Sequence, residues 1–364
     1  MKAKGVLGML LCAVAAVGCA QQASSSGSST LPEANGSTMV EEDFSVAYGE
    51  RTVEGTFTCP SEGGPFPVLV LFAGSGPTDR NWENPILPGM RGTPRDLAPA
   101  LAAEGIAVVR FDKIGTGESA MPDSLSWETY EAEQRAVVEY AVGRPEVDPG
   151  RVFLAGHSEG ALHAMRLARN LEPEIVNSLA GVALLASPAG TMREVLVRQI
   201  DAQLRGVGVP DEPRRGMMRA FTEALDAVIQ GQDPALDSLI PGLRALVQGL
   251  ADPTGQPFVR ELLAFDPVDA MQEQSGRILI LQGDRDTQVL AADAERLAAA
   301  GQAQSEITLE THMIPNADHL FRVEERAMED LTPAAVSAAY ISERPLASGF
   351  VQALVDWVHG PGAE

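Results

Sequence analysis

A serine hydroxyl, an imidazole and a carboxylate can together break an acyl bond: the hydroxyl attacks, the imidazole carries the proton, and the carboxylate holds the imidazole. The sequence offers the hydroxyl in Gly156-His157-Ser158-Glu159-Gly160, a G-x-S-x-G. Such a pentapeptide arises by chance, so its surroundings decide. Val152 to Ala155 reads as a strand, and a helix opens at Glu159. Strand, sharp turn and helix would hold Ser158 Oγ out at the carboxyl edge of a sheet, at a helix N-terminus that favours developing negative charge. Side chains at 156 and 160 would collide with neighbouring backbone, which accounts for the two glycines.

The hydroxyl needs a base in a loop at the same sheet edge. Of five histidines, His157 lies inside the elbow and should point away, His163 is on the following helix, His312 is in a strand, and His359 ends the last helix. His319, in Asn316-Ala317-Asp318-His319-Leu320-Phe321 after the last strand, stands where the chemistry wants it. The penultimate strand is followed by Gly283-Asp284-Arg285-Asp286-Thr287-Gln288-Val289. Asp286, further into that loop, is the candidate acid, whereas Asp284 beside the strand end could as readily cap a turn. Asp318 is too near His319 in the chain to reach its Nδ1, and no acid follows the strand ending at Leu185. The order Ser, Asp, His then matches one known arrangement of such a triad. Two donors are needed for the tetrahedral oxyanion. One is the backbone N–H of Glu159; the other comes from Phe72-Ala73-Gly74-Ser75-Gly76-Pro77-Thr78-Asp79-Arg80, with Ser75 preferred and Gly74 the alternative.

These loops require a sheet whose strands end together. Strands are expected at Phe44 to Ala47, Val53 to Thr58, Pro67 to Phe72, Ile106 to Phe111, Val152 to Ala155, Val182 to Leu185, Arg277 to Leu281 and Glu306 to Ile314. The unbroken apolar run Val68 to Phe72 marks a strand buried on both faces. Helices are expected at about Pro94 to Ala103, Thr129 to Val142, Glu159 to Arg169 and Gly349 to His359. This alternation predicts an α/β fold with a mainly parallel central sheet flanked by helices. Between Pro188 and Phe265 the strand signal vanishes and a helical insertion is expected. Its Leu236, Leu239, Ile240, Leu243, Leu246, Val247 and Leu250 recur at three- and four-residue spacing, an apolar face of one helix or of two meeting at Pro241, read mainly as core.

The first 18 residues carry two lysines and then an apolar run, as an export signal does. Ala16-Val17-Gly18-Cys19 looks like a bacterial lipobox, which would make Cys19 the lipidated first mature residue, although Ala16 stands where a larger aliphatic residue is usual. Simple cleavage and secretion is the alternative. The Ser- and Gly-rich residues to 39 read as a flexible linker. The expected division is signal 1–18, linker 19–39, body 40–187, insertion 188–265 and body 266–364. Loss of Cys12 and use of Cys19 leave Cys59 without a disulfide partner, and it reads as a plain strand residue. A formal charge of −23, from 27 basic and 50 acidic residues, argues against nucleic acid and against a polybasic membrane surface. Membrane association is expected only through the lipid, in an exported protein.

The quoted motifs, with Arg110-Phe111-Asp112-Lys113-Ile114-Gly115-Thr116-Gly117-Glu118-Ser119, give the chain a resemblance over about residues 44–358 to the α/β-hydrolases. Within them it resembles bacterial serine carboxylesterases with a helical cap. The resemblance implies an α/β-hydrolase fold, Ser158, Asp286 and His319 as triad, the Ser75 and Glu159 amides as oxyanion hole, a small-molecule ester as substrate, and no metal or organic cofactor. Thioesterase, lactonase and peptidase chemistry share this constellation, and a non-catalytic surface binding protein on the scaffold is the rival from another class. Ala73 departs from the pattern, since many relatives carry His there, and the bracing of that loop is what the departure puts in question. The Asp112 to Ser119 stretch is expected to be a structural turn beside the elbow.

Overall fold

A computed structural model describes residues 39–360 apart from 173, 174, 176 and 177. The expected signal, Cys19 and nearly all of the linker lie outside the described residues. The sheet contains β1 (Met39–Tyr48), β2 (Arg51–Pro60), β3 (Phe66–Phe72), β4 (Ala107–Phe111), β5 (Val147–His157), β6 (Leu179–Leu185), β7 (Gly276–Gly283) and β8 (Ile307–Ile314). Their order is β1-β2-β4-β3-β5-β6-β7-β8. The first two strands form an antiparallel hairpin, β2 pairs antiparallel with β4, and β3 to β8 all run parallel. The six parallel strands therefore end at one edge, and the loops after them can converge.

Alternation along the central strands divides the core between the two faces. Val68, Val70 and Phe72 of β3, with Val152 and Leu154 of β5, join one apolar cluster, and Leu69, Leu71, Phe153 and Ala155 join the other. The second cluster is closed by α1 (Pro94–Ala103) and α11 (Ser348–His359), through Leu97, Leu101, Phe350, Leu354 and Trp357. On the opposite face lie α2 (Trp127–Val142), α3 (Glu159–Asn170) and, after β7, α9 (Ala291–Gln302). Ser126 caps α2 through a capping box with Thr129.

Between β6 and β7 the chain folds as α4 (Met192–Gly206), α5 (Asp211–Ile229), α6 (Pro241–Leu250), α7 (Gln256–Ala264) and the short α8 (Pro267–Gln272). Pro241 opens α6, where a missing N–H costs nothing, and Leu236–Ser238 forms a separate 3₁₀ turn. Leu239, Leu243, Leu246, Val247 and Leu250 are buried in the same cluster as β3, β5 and α3. Phe258 of α7 meets the rings of Trp127, Tyr130 and His163. No helix among the described residues is long and apolar enough to cross a membrane.

Two elements go beyond the sequence expectations. The region between β7 and β8 holds α9, and the 26 residues after Phe321 form a strap with α10 (Pro333–Tyr340) before α11 begins. Cys59 is buried in β2, where burial pushes its thiol up.

Candidate active site

Ser158 sits where β5 passes into α3. Its backbone has φ 53° and ψ −121°, a left-handed conformation that a non-glycine residue adopts only when its surroundings enforce it. Ser158 N–H donates to Leu185 O at 2.8 Å, fixing the turn against β6. A Cβ on Gly156 would lie 2.2 Å from Gly160 O, and one on Gly160 would lie 2.3 Å from Phe72 O. Both glycines thus allow the backbones of the elbow and of β3 to touch. Ser158 is 8% exposed and forms the N-cap of the helix.

The loops after β7 and β8 are held together by their backbones. Asp284 N–H donates to Ile314 O at 3.1 Å and Arg285 N–H to Ala317 O at 2.9 Å. This brings His319 Nδ1 within 2.7 Å of Asp286 Oδ2. The carboxylate is fully engaged: Oδ1 accepts from Gln288 N–H at 2.7 Å and Val289 N–H at 3.0 Å, and Oδ2 accepts from Gln282 Nε2 at 3.1 Å. Asp284 instead pairs with Arg285 at 3.2 Å. Asp318 accepts from the N–H groups of Leu320 and Arg322 and pairs with Arg344, bracing the loop from within. His319 Nε2 is buried and has no hydrogen-bond partner among the described residues. The structure therefore joins His319 to Asp286, and does not hydrogen-bond His319 to Ser158.

The remaining histidines are placed as follows. His312 is exposed on β8, His359 Nε2 reaches Glu104 O at 2.9 Å, and His163 Nδ1 lies 3.0 Å from Gln134 Nε2. His157 does not simply turn away from the site. Its ring stacks on Trp82 at 4.7 Å and lies 4.6 Å from the His319 ring, and its Nε2 donates to His319 O at 2.8 Å. Burial, and then the neighbouring imidazole of His319, pull its pKa down to about 3, so the ring is neutral and its proton sits on Nε2.

Ser75 and Gly74 lie in the buried loop after β3. A Cβ on Gly74 would meet His157 Nδ1 at 3.1 Å and Ser158 Cβ at 3.3 Å, so this loop packs directly on the elbow. Gly74 O accepts from Lys113 Nζ at 2.7 Å and, more distantly, from Thr78 Oγ1 at 3.3 Å. These two donors brace the loop that lacks a histidine at Ala73. Glu159, 2% exposed, lies 3.3 Å from Lys113 Nζ and 3.6 Å from His163 Nε2. Burial opposes its ionisation, but Lys113, His163 and the Ser75 hydroxyl outweigh it and bring the carboxyl down to about 2. Nearby, Glu133 is wholly buried, and burial pushes its carboxyl well up against the opposing pull of Lys113.

The turn after β4 is structural in most of its residues. Asp112 accepts from Arg80 N–H at 2.7 Å, from its guanidinium and from Glu118 N–H, and Gly117, at φ 50°, has no room for a Cβ beside that carboxylate. Lys113 is the exception, and its reach to Gly74 was not anticipated from sequence. The available signal was position: it follows a parallel strand at the edge where the other loops converge. The strap was likewise missed. Tyr340 hydrogen-bonds Gln288, and Arg322 donates to Arg91 O, Gly92 O and Arg344 O while pairing with Asp96. A small cleft beside His319, open to solvent, is lined in part by Arg285, Thr287, Val336 and Tyr340.

A serine on a strained strand-to-helix elbow, facing loops of a mainly parallel sheet, defines the class, and the comparisons agree with it. The Alpha/beta hydrolase family model matches residues 69–334, and the chain belongs to that family. Esterase EstD of Thermotoga maritima is 28% identical over 257 residues, 70% of this chain and 54% of that protein, so the match spans about half the relative's length. Two solved structures share the fold. The alpha/beta hydrolase GrgF from Penicillium sp. sh18 is 15% identical, with 88% of this chain and 98% of that chain covered at a TM-score of 0.50. DcsB, solved in complex with its substrate analogue, is 12% identical, with 90% and 100% covered at a TM-score of 0.51.

Proposed function

We propose that the protein is a serine hydrolase that cleaves carboxylic esters of small molecules through an acyl-enzyme on Ser158. The observation that carries this reading is the 2.7 Å bond from His319 to a fully held Asp286, which leaves the buried Nε2 of the same ring without a partner. Asp286 fixes the tautomer with the proton on Nδ1, so Nε2 is the basic nitrogen. His319 Nε2 takes the proton of Ser158 as Oγ bonds to the ester carbonyl. The oxyanion is met by the backbone N–H groups of Ser75 and Glu159 and by the positive end of α3. Collapse of this intermediate breaks the bond to the alkoxy group, which leaves as alcohol with the proton from His319. Water then repeats the sequence on the acyl-enzyme, releasing the carboxylic acid and restoring Ser158. Every proton is accounted for by Ser158, His319, alcohol and water.

That a similar protein is named an esterase supports the choice of esters within the hydrolase class. The test is steady-state hydrolysis of p-nitrophenyl esters from acetate to laurate, beside Ser158→Ala. Turnover that peaks at one chain length and disappears in the variant is expected. A folded wild-type protein that turns over none of the series, and whose Ser158 resists a fluorophosphonate, would defeat the proposal.

A further inference from the structure

Resting on the reading of Ser75 and Glu159 as oxyanion donors, we propose that Lys113 is the positioning residue that aligns both. Lys113 is 3% exposed and follows β4 at the sheet edge where the site lies. Its ammonium donates to Gly74 O at 2.7 Å and lies 3.3 Å from Glu159 Oε1. Gly74 C=O and Ser75 N–H belong to one peptide plane. In a trans peptide these two groups point in opposite directions, so a donor clamped on the oxygen also sets where the N–H points. A cationic donor on the carbonyl further polarises the amide, which makes its N–H the stronger donor. The second oxyanion N–H belongs to Glu159, whose side chain the same ammonium holds. One charged group thus ties together the two separate chain segments that must present their amides to one oxygen atom.

The fold alone gives no reason for this pair. A buried ion pair is a weak source of stability, and apolar side chains of similar volume would generally serve a core as well. Thr78 Oγ1 also reaches Gly74 O, but at 3.3 Å and without charge, so it cannot replace the ammonium in either respect. The Tyr130 ring lies 6.0 Å from the same ammonium and offers it no hydrogen bond. Lys113 does not touch the reacting atoms in this arrangement; it acts through the Gly74–Ser75 peptide and through Glu159.

The experiment uses the full chain and three variants: Lys113→Met, the double variant Lys113→Met with Glu159→Gln, and Lys113→Arg. Each is assayed on the best p-nitrophenyl ester and for inhibition by an alkyl boronic acid, whose tetrahedral serine adduct places an oxygen in the oxyanion hole. Lys113→Met is expected to lower kcat about 10²-fold, the order of losing one oxyanion donor, with KM little changed. Boronate affinity should fall in parallel. The double variant leaves no stranded charge and keeps both backbone amides, and it should show the same loss. Lys113→Arg, which retains a cationic donor, should recover part of it. If the folded double variant returns to wild-type kcat and boronate affinity, the loss in the single variant came from the stranded Glu159 carboxylate, and the proposal is overturned. Should Lys113→Met not fold, the double variant is judged by the same criterion. Failure of the esterase reading itself looks different: the wild type would not turn over the ester, or Ser158→Ala would.

Discussion

Asp286 and Asp284 are two residues apart in one loop, yet only Asp286 meets His319, because its carboxylate is turned inward by the Gln288 and Val289 amides. Asp286→Asn should leave a folded protein with kcat lowered about 10⁴-fold through the wrong imidazole tautomer. Asp284→Asn should turn over at close to the wild-type rate, and assaying the pair on one ester checks both. His157 gives a prediction about pH. Its folded pKa of about 3 lies below the ordinary 6.5, so the unfolded chain binds a proton between these values while the folded chain does not. The stabilisation is therefore complete above about pH 6.5 and is lost as pH falls toward about 3. Thermal melts across that window should show the advantage of wild type over His157→Gln shrinking as pH drops. The triad candidates were legible because each stands in a loop whose flanking strand can be read locally. The His157 bond to His319 O spans 162 positions, and the Lys113 bond to Gly74 O spans 39, so no local pattern announced either.

At the scale of elements, the elbow stores strain. A residue at φ 53° and ψ −121° costs on the order of 1–3 kcal/mol, a cost glycine largely escapes. Ser158→Gly should thus be more stable than Ser158→Ala by about 1 kcal/mol, measured by urea unfolding, with both inactive on esters. All eight strands were legible; those at the centre of the sheet, such as β3, β6 and β7, read as buried apolar runs, which the sequence punctuates with Gly and Pro. Of the helices beside them, α1, α2, α3 and α11 followed from the sequence, whereas α9 did not. Nor did the strap, because α10 is a single eight-residue stretch opened by Pro333 and held by distant partners, Gln288 on Tyr340 and Asp318 on Arg344. Its order comes from tertiary bonds and not from its own pattern.

Across the whole molecule, the helices between β6 and β7 share one apolar cluster with the sheet, so they are expected to unfold with it. Leu246→Ala should cost about 2–5 kcal/mol. Far-UV circular dichroism and tryptophan fluorescence should still report a single urea transition, since Trp127 lies against Phe258 and Phe265 where the two parts meet. Two resolved transitions would mean that the insertion is an independent unit.

Among the described residues, the open sheet ends in two edge strands, β1 at one end and β8 at the other. Such edges are templates on which copies of a chain can stack into aggregates. β1 carries Glu41, Glu42 and Asp43, and β8 carries Glu310, Thr311 and His312. Glu41 and Asp43 are also tied back to Thr58 and Thr56 of β2 and to Arg110 and Arg80. Two β1 edges brought together would set Glu41, Glu42 and Asp43 of one copy near those of the other, a repulsion that opposes growth of the sheet from this end.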